Sequence, residues 1–303
     1  MGKEKVWTDR QLRRKAKNIR LLKSIIDALS FKKKRKCAGV ERLITTCEGV
    51  VRVLTYNMDN PQRLPLFVNM HGGGFVLGNA EMDDPFMQNI AQKANVKIIS
   101  VDYRLAPEFP FPKALNECYE VVYYAKNHPD EFGIDPNRIA IGGQSAGGNL
   151  SAAICVMESL FKDLDVKCLI LNYPPLDLFT DAGLKPLPKG ALPVFLCRIF
   201  DACYCNDKEE RDGPLISPIY VNNEEARSFP PTLIITALYD SLCDEDELFR
   251  DKLMEAGVEV THKRFNAKHG FNLEPGADAD ESWRMVVEHL KRFLHTDDTD
   301  LTD

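Results

Sequence analysis

The sequence predicts an α/β protein, with one mostly parallel β-sheet flanked by helices. Beyond residue 36, short β-rich runs alternate with longer stretches of helical spacing, and turn residues separate them. This alternation is typical of a parallel sheet whose strands are joined by helices. The chain has 303 residues, of which 44% are hydrophobic, so it can bury a large core in one compact unit. We therefore expect a single domain, residues 1–303, that carries a helical cap.

Each predicted element follows from its local pattern. The predicted strands are 49–56, 66–70, 97–101, 138–142, 168–172, 232–236 and 259–265. The predicted helices that follow them are 83–94, 113–128, 146–161, 244–256 and 278–295. Because ligands of open α/β sheets bind beyond the carboxyl ends of the strands, the loops after these strands are where a site is expected.

The first 36 residues differ from the rest of the chain in charge. They hold 14 Lys or Arg against 3 Asp or Glu, whereas the remainder holds 25 against 42. Thr8 and Gln11 resemble a capping box that starts a helix. Helical spacing is shared by four apolar residues, Ile19, Leu22, Ile26 and Leu29. We predict that this apolar stripe lies over the mouth of the site with lysines in water; weak association with a membrane surface is the alternative.

Between residues 174 and 214 the regular alternation stops. Prolines interrupt a mixed apolar and charged sequence that is too long for an ordinary connection inside a compact domain. We predict that residues 174–214 and residues 1–45 together form the cap and cover the site.

Composition excludes several classes of function. Nine cysteines, an odd number, are spread singly, and no signal peptide is recognisable, which favours free thiols in a reducing cytoplasm. Cys203 and Cys205 form the closest pair, but without nearby histidines we predict no metal site. The apolar runs are too short for a membrane-spanning helix, and the acidic body of the chain disfavours nucleic acid as a partner.

The strongest local motif surrounds Ser145. A short apolar strand runs directly into Gly143-Gln144-Ser145-Ala146-Gly147, and a helical stretch follows. This G-x-S-x-G pattern between strand and helix is typical of a nucleophile on a sharp turn, where larger neighbours would collide with adjoining elements. Free amide groups at the start of the following helix favour negative charge on a substrate. We predict that Ser145 is the nucleophile.

A second glycine-rich segment, His71-Gly72-Gly73-Gly74, follows the predicted strand 66–70. Consecutive glycines allow backbone N–H groups to turn toward one point, about 2.7–3.1 Å from the oxyanion of a tetrahedral intermediate. We predict an oxyanion hole formed by the amides of Gly73, Gly74 and Ala146. A flexible loop or a phosphate-binding turn is the alternative, but the expected Lys-Ser or G-x-G-x-x-G patterns are missing. The side chain of His71 is expected to form a structural hydrogen bond to this loop.

Activation of a serine requires a histidine base and an acid that orients it. Asp240 and His269 each follow a predicted strand, in the order that this motif requires after the serine. Apart from His71, which is assigned to the glycine-rich loop, only His269 of the remaining five histidines occupies a loop beside a glycine. Asp244 competes with Asp240, but it resembles the N-cap of the next helix. We predict that His269 is the general base and that Asp240 orients it.

With these residues in place, the chain resembles the hormone-sensitive-lipase-like family of α/β-hydrolase esterases and lipases, from about Leu66 to Phe293. The resemblance is carried by five motifs in family order: His71-Gly-Gly-Gly-Phe75, Val101-Asp-Tyr-Arg-Leu-Ala-Pro-Glu108, Gly143-Gln-Ser-Ala-Gly-Gly148, Asp240-Ser-Leu-Cys-Asp-Glu245 and His269-Gly-Phe271. It implies the α/β-hydrolase fold with a helical cap, the same catalytic triad and the same oxyanion hole.

The resemblance also indicates a supporting polar network and two departures. Asp102, Arg104 and Glu108 look like the family's structural segment behind the site, where they can form a buried network. The family usually has an acidic residue where this chain has Gln144, and a proline where it has Ser241. We expect Gln144 to alter pH behaviour and cap contacts, while the triad remains.

Together these features predict a serine esterase that hydrolyses short-chain carboxylic esters through an acyl-enzyme, with a small-molecule ester as substrate and no cofactor. Two other hypotheses stay open at this point. The first is a module that binds a small ligand in a hydrolase pocket without turnover. The second is a lipase recruited to membrane surfaces by the basic N-terminal helix. The sequence specifies no oligomeric state.

Overall fold

The structure of the protein, a computed structural model, describes residues 7–29 and 36–295. The strands in these ranges are β1 (Val40–Thr46), β2 (Gly49–Tyr56), β3 (Leu64–Met70), β4 (Lys97–Asp102), β5 (Ile134–Gln144), β6 (Val166–Asn172), β7 (Thr232–Tyr239) and β8 (Val260–Lys268). They form one sheet in the order β1-β2-β4-β3-β5-β6-β7-β8. Strands β3 to β8 pair in parallel, whereas β1 and β2 are antiparallel. The predicted mostly parallel sheet is confirmed.

Helices cover both faces of this sheet. They are α1 (Asp9–Leu29), α2 (Asp84–Lys93), α3 (Lys113–Asn127), α4 (Pro129–Phe132), α5 (Ala146–Phe161), α6 (Val194–Tyr204), α7 (Asn223–Arg227), α8 (Cys243–Glu255) and α9 (Ala277–Leu294). Buried side chains of α3, α5 and α8 pack in the core on one face, and those of α2 and α9 pack on the other. Among the described helices, none is both long and apolar enough to cross a membrane.

Strand β1 is an element that the sequence analysis did not predict. It lies at the edge of the sheet and pairs with β2 along its whole length, although residues 40–45 fall within the segment predicted as cap. Val40 and Leu43, on opposite faces of the strand, are 64% and 65% exposed, and Ile44 is the one buried residue, so its pattern does not resemble a strand with one apolar and one polar face. Residues 1–6 and 30–35 of the predicted cap lie outside the described residues.

Helix α1 begins with the predicted capping box. The Thr8 amide donates to the Gln11 side chain at 2.9 Å, and the Gln11 amide donates to the Thr8 hydroxyl at 3.4 Å. The packed face of the helix, however, includes Leu12 and Ala16, which lie in a small core with residues of α6. The predicted stripe is wrong at Leu22, which is 59% exposed; the side chains of Ile26 and Leu29 lie outside the described ones.

An ion pair lies on the packed face of α1, which differs from the predicted stripe. The Arg20 guanidinium pairs with the Glu108 carboxylate at 2.8 Å and also donates to the carbonyl groups of Ala106 and Val76. These three partners hold Arg20 on the inner side of the helix. A polar contact that apolar periodicity does not show therefore adds to the apolar contacts of Leu12, Ala16 and Ile19 on the packed face.

The segment 174–214 contains helix α6 and is fixed to the sheet domain by a buried ion pair. The Lys185 ammonium lies 2.6 Å from the Glu245 carboxylate of α8, and both side chains are nearly excluded from solvent. The other Glu245 oxygen accepts hydrogen bonds from the amides of Leu176 and Asp177. The first part of this segment, before α6, is thereby fixed to α8.

Acid sensitivity is expected from a buried histidine of α9. Burial lowers the pKa of His289 to about 4, opposed by a hydrogen bond to the Pro231 carbonyl. Because an unfolded histidine titrates near pH 6.5, this group loses up to about 3 kcal/mol of stabilisation as the pH falls from about 6.5 to about 4. Urea unfolding at a series of pH values measures this effect. In His289→Gln, the free energy of unfolding should fall less steeply between pH 6.5 and 4 than in the native protein.

His128→Gln, at an exposed histidine at the end of α3, is the matched control and should leave the pH dependence as it is in the native protein. Identical slopes for the native protein and His289→Gln between pH 6.5 and 4 would contradict the assignment.

Candidate active site

Ser145 occupies a strained turn between β5 and α5. Its backbone has φ +50° and ψ −121°, a conformation that residues with a side chain rarely adopt. The Ser145 amide donates to the Asn172 carbonyl at the end of β6, at 2.9 Å. The turn is therefore tied to the neighbouring strand, and the serine side chain lies at the carboxyl edge of the sheet.

Two glycines allow this turn to press against the end of β3. A Cβ atom at Gly147 would lie 1.9 Å from the Met70 carbonyl oxygen, and one at Gly143 would lie 2.3 Å from the same atom. Real Cβ atoms do not approach other atoms so closely, because interiors are already packed at high density. The small residues of the motif are a steric requirement, as the sequence analysis predicted.

The structure brings together Ser145, His269 and Asp240. The Ser145 Oγ lies 3.0 Å from His269 Nε2, and His269 Nδ1 lies 2.5 Å from Asp240 Oδ2. With the proton assigned to Nδ1, the imidazole donates to the carboxylate and accepts from the hydroxyl. The Asp240 side chain is fully buried, and that of His269 is 12% exposed. Such a chain of hydrogen bonds is able to remove a proton from the serine.

Neighbouring groups fix the histidine and its acid. The second carboxylate oxygen of Asp240 accepts from the Leu242 amide at 3.2 Å. The ring of Tyr173 lies 4.9 Å from the His269 ring at an angle of 63°, and its hydroxyl donates to the Asn272 side chain. Sequence reasoning missed Tyr173, although its position directly after β6 places it at the same sheet edge as the other site residues.

Asp244 takes no part in this arrangement. It is exposed in the first turn of α8, whose N-cap is Leu242. The prediction that Asp244 is the N-cap is therefore wrong, because the N-cap lies two residues earlier in the chain. The helix begins earlier because the turn after Asp240 leads into it directly, with the Cys243 amide bonded to the Asp240 carbonyl.

The glycine segment after β3 forms a tight loop beside the serine. Gly73 and Gly74 have φ values of +125° and +60°, which glycine adopts without steric cost. The Gly73 carbonyl accepts hydrogen bonds from the amides of Val76 and Leu77, so the loop is closed on itself. Ala146, the third predicted donor, is buried in the first turn of α5.

Phe200 of helix α6 lies against this loop. A Cβ atom at Gly74 would be 2.3 Å from the Phe200 ring, so the ring occupies the space next to the backbone of the loop. Sequence reasoning missed Phe200, because no motif marks it and its role depends on how α6 folds over the sheet. The ring narrows the space in front of Gly74.

His71 is part of the support of the loop. It is fully buried, its Nδ1 lies 2.7 Å from the Gly72 carbonyl oxygen, and its ring stacks on Tyr103 at 4.1 Å. Burial lowers the pKa of His71, with the hydrogen bond to Gly72 opposing the change. The hydrogen bond to the loop that the sequence predicted is thus present, in a neutral imidazole.

A buried carboxyl group lies behind the Ser145 turn although residue 144 is a glutamine. With its amide oriented to match its neighbours, Gln144 donates to both Asp83 carboxylate oxygens, at 2.7 and 3.0 Å. Asn69 of β3 donates to the same group at 2.9 Å. Burial raises the pKa of Asp83 to about 7, and the hydrogen bond from Asn69 opposes that rise. Gln144 thus contributes hydrogen bonds to the turn.

The predicted network of Asp102, Arg104 and Glu108 is wrong. Each of these residues bonds to a different element: Asp102 to Arg52 of β2, Arg104 to Glu117 of α3, and Glu108 to Arg20 of α1. Neighbours in sequence point apart here, because the chain turns after β4. The segment therefore links three elements instead of forming one cluster.

In the described part of the chain, no group of three or more His, Cys, Asp or Glu is arranged to hold a metal ion. All nine cysteines are free, and Cys203 and Cys205 are buried.

Comparisons with known proteins agree with this geometry. A model of the α/β-hydrolase fold matches residues 67–273. An arylesterase of Saccharolobus solfataricus is 33% identical over 209 residues, which is 68% of each chain. A carboxylesterase of Mycobacterium tuberculosis is 33% identical over 77% of this chain and 75% of its own. The structure of an esterase from the archaeon Pyrobaculum calidifontis is similar, with a TM-score of 0.80 and 30% identity over 91% of this chain and 93% of that one.

The chain belongs to the α/β-hydrolase family. Within it, the predicted resemblance to the hormone-sensitive-lipase-like esterases is confirmed.

The contact between α5 and β3 generates a stability prediction. Gly147→Ala places a methyl group against the Met70 carbonyl and should lower the free energy of unfolding by about 3 kcal/mol or more. Gly276→Ala is the control, since its Cβ would meet no described atom within 4 Å; because Gly276 is the N-cap of α9, it should lower stability by no more than about 1 kcal/mol. Urea denaturation measures both. Equal stability of the two variants would show that the turn is not under steric constraint.

Proposed function

We propose that the protein is a serine esterase that hydrolyses short-chain carboxylic esters of small molecules through an acyl-enzyme on Ser145. The observation that carries the proposal is the hydrogen-bonded series from Ser145 through His269 to Asp240. Membership of a family with esterases supports the reaction class. No cofactor is required, because the histidine and the acid that orients it activate the serine.

In the first half of the reaction, Ser145 Oγ attacks the ester carbonyl carbon while its proton moves to His269 Nε2. The buried Asp240 carboxylate stabilises the imidazolium that forms and keeps its ring in place. The carbonyl oxygen becomes an oxyanion, and we assign its binding to the amides of Gly73, Gly74 and Ala146. Each such donor contributes roughly 3–4 kcal/mol to the stability of the transition state.

His269 then donates its proton to the leaving alcohol oxygen, and the ester bond to that oxygen breaks. The acyl group remains bonded to Ser145. A water molecule gives its proton to His269 and attacks the acyl carbon, and collapse of the second tetrahedral intermediate releases the acid and returns the proton to Ser145. The helix dipole of α5 favours the negative charge in both steps, because Ala146 is in its first turn.

We further propose that the chain forms a single domain and that a cap made of helix α1 and residues 174–214 limits the acyl group. Phe200 supports this proposal, because its ring lies against Gly74 of the oxyanion loop. We propose that the ring obstructs long acyl groups. The nine free cysteines support a reducing compartment, and we propose the cytoplasm.

Loss of the nucleophile should abolish turnover without unfolding the protein. Ser145→Ala should lower kcat/KM for a p-nitrophenyl acetate substrate by at least about a thousandfold, because the attacking atom is removed. Ser159→Ala, on the same helix, is the control and should retain native activity. Hydrolysis by Ser145→Ala at the native rate would refute the proposed function.

Removal of the Phe200 ring should change the preference for acyl length. The native protein should prefer acetyl and butyryl over decanoyl esters, and Phe200→Ala should raise the ratio of decanoyl to acetyl kcat/KM by about tenfold. Phe195→Ala, on the same helix with its side chain 65% exposed, should keep the native ratio. A native preference for decanoyl esters, or an unchanged ratio in Phe200→Ala, would contradict the role assigned to the ring.

A further inference from the structure

Helix α1 presents an unusual surface to solvent on the side that faces away from the fold. Leu21, Leu22 and Ile25 are 57%, 59% and 47% exposed. Cations occupy the same side one to three turns earlier in the helix, at Arg10, Arg14 and Lys17, all exposed. The spacings from Arg10 through Arg14, Lys17 and Leu21 to Ile25 are three or four residues, so these side chains form one stripe. We define the outer face of α1 as Arg10, Arg14, Lys17, Leu21, Leu22 and Ile25.

The outer face is not needed to hold α1 on the protein. Leu12 and Ala16 are buried against α6, and Arg20 pairs with Glu108 on the inner side. At the N-terminal end, the Asn206 side chain donates to the Trp7 carbonyl. Exposed neighbouring aliphatic side chains on an already anchored helix indicate a binding surface rather than unfinished packing.

We propose that the outer face of α1 binds the surface of membranes that contain anionic phospholipids. Helix α1 carries seven Lys or Arg against two Asp, so it is complementary in charge to such a surface. An interfacial helix places aliphatic side chains at the boundary of the acyl chains while its cations contact headgroups. The outer face provides both groups side by side.

The size of the surface favours a membrane over a protein partner. A stable protein interface buries about 800 Å² on each partner, which is more than three aliphatic side chains supply. Membrane binding needs no matched surface, because each buried apolar group and each cation near the headgroups adds to the affinity. The binding is expected to be weak and reversible, and it weakens as salt screens the cations.

The position of α1 gives this binding a consequence for the proposed function. Helix α1 packs on α6, and Phe200 of α6 lies against the oxyanion loop. A protein bound through the outer face therefore holds its cap close to the membrane, where ester substrates that partition into lipid are concentrated. Only this consequence rests on the proposed esterase activity; the binding does not.

Flotation with lipid vesicles tests the proposal on the full-length protein. The native protein should float with vesicles of phosphatidylcholine and phosphatidylserine, and much less with phosphatidylcholine alone. The triple variant L21Q/L22Q/I25Q should bind at least about tenfold more weakly, because its apolar groups are lost. The affinity of the triple variant R10Q/R14Q/K17Q for these vesicles should fall about fivefold for each cation that is replaced.

The control variant L160Q/L248Q replaces leucines that are 65% and 61% exposed on other helices, and it should float like the native protein. Circular dichroism and thermal unfolding establish that each variant is folded. Ser145→Ala should float normally, so failure of the esterase proposal would not affect this test. Equal flotation of the native protein and L21Q/L22Q/I25Q would overturn the proposal. Absence of flotation of the native protein would overturn it as well. If the native protein were then a dimer that dissociates in L21Q/L22Q/I25Q, a second copy of the chain would be the partner.

Discussion

The close approach of helix α5 to the end of strand β3 is the constraint on which the rest of the site depends. Gly143 and Gly147 both lie against the Met70 carbonyl oxygen, where neither could carry a side chain. This contact forces the connection between β5 and α5 into one sharp turn and gives Ser145 its positive φ. The strain is stored at the serine of the candidate site and is maintained by the surrounding sheet. The serine is consequently held in place before any substrate arrives.

The sheet and its flanking helices could be predicted from the sequence because their apolar patterns are long and regular. Helix α5, for example, begins and ends where the spacing predicted. Strand β1 could not be predicted, since apolar and polar residues do not alternate along it and it lies at an edge. The packed face of α1 differs from the predicted stripe, and it includes the pairing of Arg20 with Glu108, residues that are far apart in sequence. Local periodicity contains no information about such contacts.

The residues of the candidate site divide in the same way. Ser145, Asp240 and His269 could be selected because each follows a strand, and parallel strands end at one edge of the sheet. Phe200 and Asp83 could not be selected, because their relevance arises only from folding: α6 lies over the glycine loop, and Asp83 packs behind Gln144. A motif thus identifies candidate reactive groups, whereas the groups that shape and support them are found only in the structure.

Covalent labelling tests the central claim most directly. A reactive organophosphate should modify the folded native protein at one residue, Ser145, as shown by mass spectrometry of its peptides. His269→Ala should react far more slowly, since its serine keeps its proton. Absence of labelling in the folded native protein, or modification of another residue in its place, would contradict the account.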